Sequence, residues 1–364
     1  MSIPVGISRR DLLVGTACFL IATSRSKAET DTRVAIVDTA ENAANQIKKL
    51  KARDVRAVAR YYARQGQPSL PEKRLAFNKL GDKSEANILT ENGIALISVY
   101  QYFSNNPKKF VTGLSDTGST REEAKQDAKA ALEQASMVGQ PEGSVIYFGV
   151  DFNLKPTAKT EVDAVIQYFQ QINETIGGRY KLGTYGNGFA NRLLRDKGLV
   201  AFSWISASRS FAGTADFVSS GDWHLFQNQV DRYWFGGSRC PSGMGVDTDI
   251  QNPKYADIGI WGASGSDAAR TQAIFDSRRF AKKKAAIHQQ PDAKSPLITK
   301  TRCRRIDRKW TVVTENRVDY ANNVQVVDEL GDWLHVDVDD DGVADGYCQS
   351  ANFTADFRTM PIWP

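Results

Sequence analysis

The residues of this chain best suited to chemistry are carboxylates standing at the ends of short apolar runs. Asp38 follows Val34–Val37, Asp151 follows Ser144–Val150, and Asp247 and Asp249 lie on or after Val246–Ile250. Rings and amides recur at corresponding points: Tyr61 and Tyr62, Tyr100 and Gln101, Asn153, Tyr185, Gln227 and Asn228. Such an inventory suits sugar, with carboxylates for acid and base work, aromatic faces for pyranose rings and amides for hydroxyls. Tyr62, Tyr100, Gln101, Asn153, Tyr185 and Gln227 are therefore expected to touch substrate. The cluster holds no histidine pair, no reactive-looking cysteine and no nucleophile elbow, so neither a metal nor a cofactor is expected. Plainer duties compete. Asp38 could be only an anion before a helix N-terminus, Asp247 and Asp249 could hold a turn before Pro253, and Tyr100, Tyr185 and Trp204 could be packing.

The elements that must position these residues can be read from periodicity. Strand-like runs at Val34–Val37, Arg56–Tyr62, Ile94–Tyr100, Ser144–Val150, Lys181–Tyr185, Phe202–Ala207, His224–Gln227 and Val246–Ile250 alternate with helical patterns. Thr39 is placed to cap a helix reaching about Lys51, and Thr120-Arg121-Glu122-Glu123 reads as a capping box. The helix it opens carries alanines at 124, 128, 131 and 135 and stops at Gly139. A further helix presents Val162, Ile166, Phe169, Ile172 and Ile176 before Gly177-Gly178. Alternation of this kind argues for parallel βα units, and eight strand signals argue for a (β/α)8 TIM-type barrel over residues 32–262. A doubly wound sheet would bring a glycine-rich loop after its first strand, where this chain has Asp38-Thr39-Ala40-Glu41. The later crossovers are too short for full helices.

In order along the chain, Val37-Asp38-Thr39, Arg60-Tyr61-Tyr62, Ile97-Ser98-Val99-Tyr100-Gln101, Ile146–Asn153, Leu182-Gly183-Thr184-Tyr185-Gly186, Gln227-Asn228 and Gly245-Val246-Asp247 resemble a known family. It is the glycoside-hydrolase-like domain of mycobacterial and other actinobacterial exported proteins, related to the family 25 lysozyme barrels. The resemblance implies a barrel whose glycan-binding cleft is lined by Asp38, Asp151 and Asp247. Asp151 would then be nucleophile or stabilising carboxylate, and Asp38 and Asp247 would position substrate or water. One departure matters. The lysozyme-type relatives carry Asp-x-Glu after the fourth strand, with the glutamate as proton donor, whereas this chain reads Asp151-Phe152-Asn153. An amide cannot donate that proton, so Asp249, Glu161, Glu85 and Glu91 become candidate substitutes, and a barrel that binds glycan without cleaving it becomes the alternative.

The flanks frame where this site would work. Ser8-Arg9-Arg10-Asp11 precedes an apolar run from Leu12 to Ala22 and a small-residue site at Ser26-Lys27-Ala28, the order of a signal peptide over residues 1–28. Paired arginines mark the twin-arginine route, which exports folded protein to the periplasm or beyond, and the run is too short to span a bilayer as a stable anchor. The formal charge of +5 misleads, because removing this leader leaves 43 basic and 41 acidic residues. So nearly neutral a chain gives no electrostatic case for nucleic acid. Cell-wall polysaccharide is the expected partner.

Beyond residue 262 the composition changes. Ala268–Ile287 reads as a basic helix within a linker spanning 263–296. Residues 297–364 carry short strands at Trp310–Thr314, Val324–Val327, Trp333–Val338 and Gly346–Cys348. Gly331-Asp332-Trp333-Leu334-His335-Val336 with Asp341-Gly342 and Gly346-Tyr347 resembles a small all-β bacterial SH3-like barrel, which implies tethering to wall material. Asp337, Asp339, Asp341, Gly342 and Asp345 also have calcium-loop spacing, but the twelfth place is Cys348 rather than glutamate. An exported chain permits a disulfide, and Cys303–Cys348 is the expected pair, leaving Cys240 free.

Overall fold

The computed structural model describes residues 36–64, 84–114, 116–234, 243–262, 278–306, 309–319, 323–338 and 343–355. All eight strands read from the sequence are present: β1 (Ile36–Asp38), β2 (Ala57–Tyr62), β3 (Ala95–Tyr100), β4 (Val145–Val150), β5 (Lys181–Gly186), β6 (Phe202–Ile205), β7 (Leu225–Trp234) and β8 (Met244–Gln251). They close into a barrel in sequence order. The first seven run parallel. β8 runs antiparallel to both neighbours, β7 and β1. The eighth unit is thus a hairpin return rather than a βα unit, a correction to the strict (β/α)8 reading whose cause is the short connection after β7.

Strand alternation divides the wall into two populations. Ile36, Ala57, Ala59, Ile97, Tyr147, Trp204 and Leu225 pack together inside the barrel. Val37, Val58, Tyr62, Tyr100, Ile146 and Phe148 point outward and pack under the helices. The main helices are α1 (Ile47–Ala52), α2 (Glu85–Glu91), α3 (Lys108–Val111), α4 (Thr120–Val138), α5 (Lys159–Ile176), α6 (Gly188–Asp196) and α7 (Thr214–Ser220). The alanine face of α4 allows its axis to come close to the wall, with Ala124, Ala128, Ala131 and Ala135 all fully buried. Its cap is Ser119, whose Oγ accepts from Glu122 N at 3.2 Å, one residue before the expected Thr120. Thr39 caps no helix. Its hydroxyl donates to Gly245 O at 2.7 Å, and Asn42 caps the first helical turn. Asp38 is therefore not a helix anion.

The C-terminal strands are β9 (Arg278–Ala281), β10 (Ala285–Ala286), β11 (Lys300–Ile306), β12 (Lys309–Glu315), β13 (Arg317–Val318), β14 (Asn323–Leu330), β15 (Trp333–Asp337), β16 (Gly346–Gln349) and β17 (Phe353–Thr354). They form a five-stranded sheet in the order β16-β15-β14-β9-β17 and two two-stranded ribbons. A small core of Ala285, Ile287, Val324, Val326, Leu334, Val336 and Phe353 lies against the sheet. The basic helix expected through Ile287 is not formed at its described end. There Phe280 pairs with Asn323 and Arg279 with Val324, because non-local sheet pairing outweighs the helix propensity of Lys, Arg and Ala. Cys303 is disulfide-bonded, but not to Cys348, which is a free, buried thiol pushed up by burial to about 12. Residues 1–28, Cys240 and the centre of the calcium-like loop at Asp339, Asp341 and Gly342 lie outside the described residues. Asp345 from that loop accepts from Val338 N at 2.7 Å and pairs with Lys300. No helix among the described residues is long and apolar enough to cross a membrane.

Candidate functional site

The reversed direction of β8 decides what gathers at the carboxyl ends of the parallel strands. In a parallel eighth strand, Asp247 would enter before the strand's end. Running backwards, β8 brings its early residues to that rim and pairs Asp247 directly with Asp38 of β1. Between the two carboxylates sits Gln227 of β7, whose Nε2 donates to Asp38 Oδ2 at 2.8 Å and to Asp247 Oδ2 at 3.0 Å. Its Oε1 accepts from Ala207 N at 3.3 Å and from the Tyr185 hydroxyl at 3.0 Å. A backbone N–H can only donate, so the amide orientation is fixed and its nitrogen must face the carboxylates.

Each carboxylate has a second donor. The Tyr61 hydroxyl reaches Asp38 Oδ1 at 2.6 Å, and Asp231 N reaches Asp247 Oδ1 at 2.6 Å. Asp231 adopts a left-handed φ of 53°, a backbone cost held at the site. Burial first, then Asp38 and Asp247, raise the Tyr61 phenol well above its ordinary range. Tyr185 is raised by burial and then by Asp151, Asp38, Asp247 and Asp249 in turn, which makes it the ring common to all four carboxylates. Both phenols therefore stay donors.

Asp151 ends β4. Gln101 Nε2 donates to its Oδ2 at 3.0 Å, while Gln101 Oε1 is buried with no hydrogen-bond partner. Gly149 makes this possible, because a Cβ there would lie 2.7 Å from Gln101 Oε1. The backbone carbonyl of Asp151 accepts from Asn105 N at 2.7 Å, in a loop where Phe103 and Asn105 both have positive φ.

Asp249, one step further along β8, differs from the other three. It is 4% exposed, its Oδ1 accepts from Trp204 Nε1 at 2.7 Å, and its Oδ2 is buried without a partner. Burial, then Asp38 and Asp247, push this carboxyl well above the usual carboxylate range against the opposing pull of the Trp204 hydrogen bond. Of the four carboxyls it is the one whose surroundings favour the protonated form most clearly.

Beside Tyr185, Gln227 and Asp247 opens a cavity of about 450 Å³, walled by the segments 207–211 and 228–231, within the range of small-ligand pockets. Among the described residues no group of three or more His, Cys, Asp or Glu side chains is arranged to hold a metal.

The structure thus brings together Asp38, Asp151, Asp247, Gln101, Tyr185 and Gln227. It does not bring Tyr62 or Tyr100, which face outward, with hydroxyls on Gln140 at 2.8 Å and Asp127 at 2.9 Å. The interior neighbours of those two tyrosines, Tyr61 and Gln101, occupy the site instead. Asn153 turns its Oδ1 to Ala212 N at 2.9 Å and Asn187 Nδ2 at 3.4 Å, so it ties loops together. Glu85 is buried outside the wall against Arg60 at 2.8 Å, and Glu91 is exposed on the last turn of α2. Period-two counting from Asp38 or Asp151 sorts inner from outer residues on β1 and β4 but does not carry across to Tyr61 and Tyr62 on β2. His224, expected to be structural, is buried, accepts from Ser203 N and stacks on Tyr255.

Residues 48–289 match the family model described as Rv2525c-like, glycoside hydrolase-like domain. An uncharacterised Bacillus subtilis protein, YbfG, is 26% identical over 175 residues, which are 45% of this chain and 22% of that protein. The putative peptidoglycan hydrolase Rv2525c of Mycobacterium tuberculosis is 25% identical over 173 residues, 47% of this chain and 64% of that protein. The chain thus spans less than two thirds of either relative. The crystal structure of that Mycobacterium tuberculosis Tat-secreted protein with L-tartrate aligns at 22% identity and a TM-score of 0.47, covering 62% of this chain and 98% of that one.

Proposed function

This chain belongs to the Rv2525c-like, glycoside hydrolase-like domain family, and on that premise we propose that its barrel cleft takes up bacterial cell-wall glycan of the peptidoglycan type. The observation that carries the reading is the Asp38–Gln227–Asp247 bridge at the edge of the cavity, with Tyr185 beside it. Well-donated carboxylates and a fixed amide are the groups that capture sugar hydroxyls. Asp151 and Asp247 contact the sugar, with Asp38 holding the bridge from below. The name of the Mycobacterium tuberculosis relative points the same way. The test is co-sedimentation with purified peptidoglycan. The parent should pellet, and Asp247→Asn or Asp151→Asn should weaken binding by about tenfold, the scale of one charge-assisted hydrogen bond. A parent that stays in solution would sink the reading.

Hydrolysis is a second reading, and Asp249 favours it. Asn153 cannot supply a proton, whereas burial and the neighbouring Asp38 and Asp247 push the Asp249 carboxyl in the barrel interior toward its protonated form. Soluble sugar released by the parent and not by Asp249→Asn would establish it, and no release by either would leave a binding barrel. We also propose that residues 1–28 direct twin-arginine export, as the relative described as Tat-secreted is exported, and that residues 297–364 include an SH3-like tether. Replacing Arg9 and Arg10 by Lys should abolish export of the folded protein.

A further inference from the structure

We propose that the C-terminal strands buttress the lining of the glycan cleft from behind, with Phe280, Trp310 and the Val338 carbonyl acting as positioning groups for it. The proposal goes beyond tethering, and only its binding arm rests on the glycan reading.

Three contacts between the C-terminal strands and the barrel each end at, or within two residues of, a cleft residue. The first is Arg209, which lines the cavity, is 7% exposed, and lies with its guanidinium 5.7 Å from the Phe226 ring of the barrel and 5.3 Å from Phe280 of β9. A cation between two rings is held in place by both, so β9 helps fix one side of the cavity. The second is Arg232, whose Nη2 donates to Val338 O at 2.8 Å while its Nε donates to the cavity residue Gln229. Arg232 directly follows Asp231, the left-handed residue whose N–H holds Asp247.

The third contact is at Gly245, two residues before Asp247. Its N–H donates to Glu41 at 3.0 Å and its carbonyl accepts from Thr39 at 2.7 Å, so this stretch of β8 is latched to the exit of β1. The Trp310 indole lies where a Cβ on Gly245 would stand, pressing β8 from the C-terminal side. Glycine is required here by that close approach. A module that merely anchored the protein to the wall would have no need of contacts beside Arg209, Asp231 and Asp247.

The experiment uses the full chain and the variants Trp310→Ala, Trp310→Phe and Phe280→Leu. Amide hydrogen exchange is read without ligand, and co-sedimentation with peptidoglycan is read alongside. In Trp310→Ala and Phe280→Leu, amides in 207–211 and 228–232 should exchange about tenfold faster while those of α4 and α5 are unchanged. Glycan binding should fall several-fold and recover in Trp310→Phe. Loop exchange equal to the parent's, or acceleration spread evenly over the barrel, would overturn the proposal. If the parent binds no glycan, the proposed function fails while the exchange measurement still decides this inference.

Discussion

Asp249 and Asp247 stand two residues apart on one strand, yet their oxygens meet different surroundings. Asp247 has an amide and a backbone N–H on its oxygens, whereas Asp249 has one indole N–H and an orphaned oxygen. Because the folded-state value of Asp249 is raised above the unfolded value near 3.9, its stabilising contribution is full below that pH and is lost as pH rises toward the folded value. Asp249→Asn cannot ionise and keeps an acceptor for Trp204. Its stability advantage over the parent should therefore grow above about pH 4, with a slope approaching about 1.4 kcal/mol per pH unit. Urea unfolding at several pH values measures this, and a difference independent of pH would show that Asp249 ionises freely. Parity makes the second test at this scale. Tyr185→Phe should weaken glycan binding, whereas Tyr62→Phe should leave binding intact and cost about 1 kcal/mol of stability for its lost hydrogen bond. The carboxylates were legible in the sequence because strand ends announce themselves. Tyr61 against Tyr62 was not, because one residue of register exchanges lumen for helix layer.

At the scale of elements, the parallel wall follows from local pattern and the rest from tertiary partners. The apolar run 145–150 and the alanine stripe of α4 need nothing else in the chain to be recognised. The direction of β8 and the strand at Arg278–Ala281 depend on partners far away in sequence, which periodicity cannot see. The same holds for the charged knot outside β3. Asp127, fully buried on α4, accepts from Tyr100 at 2.9 Å, Tyr102 at 2.7 Å and Tyr168 of α5 at 2.6 Å, and pairs with Lys109 of α3 at 3.1 Å. It ties three helices to the strand that carries Gln101 into the site. Asp127→Ala would strand Lys109 without its carboxylate, and breaking such a buried pair costs about 3–5 kcal/mol. Chemical denaturation should show a loss of that size, with glycan binding of the remaining folded protein little changed because no lumen residue is altered. A loss under about 1 kcal/mol would mean that the knot is solvated and weak.

For the molecule as a whole, the question is whether the barrel and the C-terminal strands unfold as one body. They fall within one compact unit, joined by the Arg232–Val338 hydrogen bond, the Arg209–Phe280 stack and the Trp310–Gly245 contact. Each partner has a core of its own, so neither strictly needs the other to bury its strands. What the junction adds is coupling, because Gly245 and Asp231 cannot keep their latched geometry once Trp310 and Val338 depart. Calorimetry of the parent should therefore show a single transition whose calorimetric and van't Hoff enthalpies agree. Gly245→Ala drives a methyl into the indole and should lower Tm by several degrees, as a loss of about 1–3 kcal/mol from overpacking does in a chain of this size. It should also split the transition in two, the C-terminal strands melting first. Two transitions already present in the parent would show that these strands ride on the barrel without shaping it.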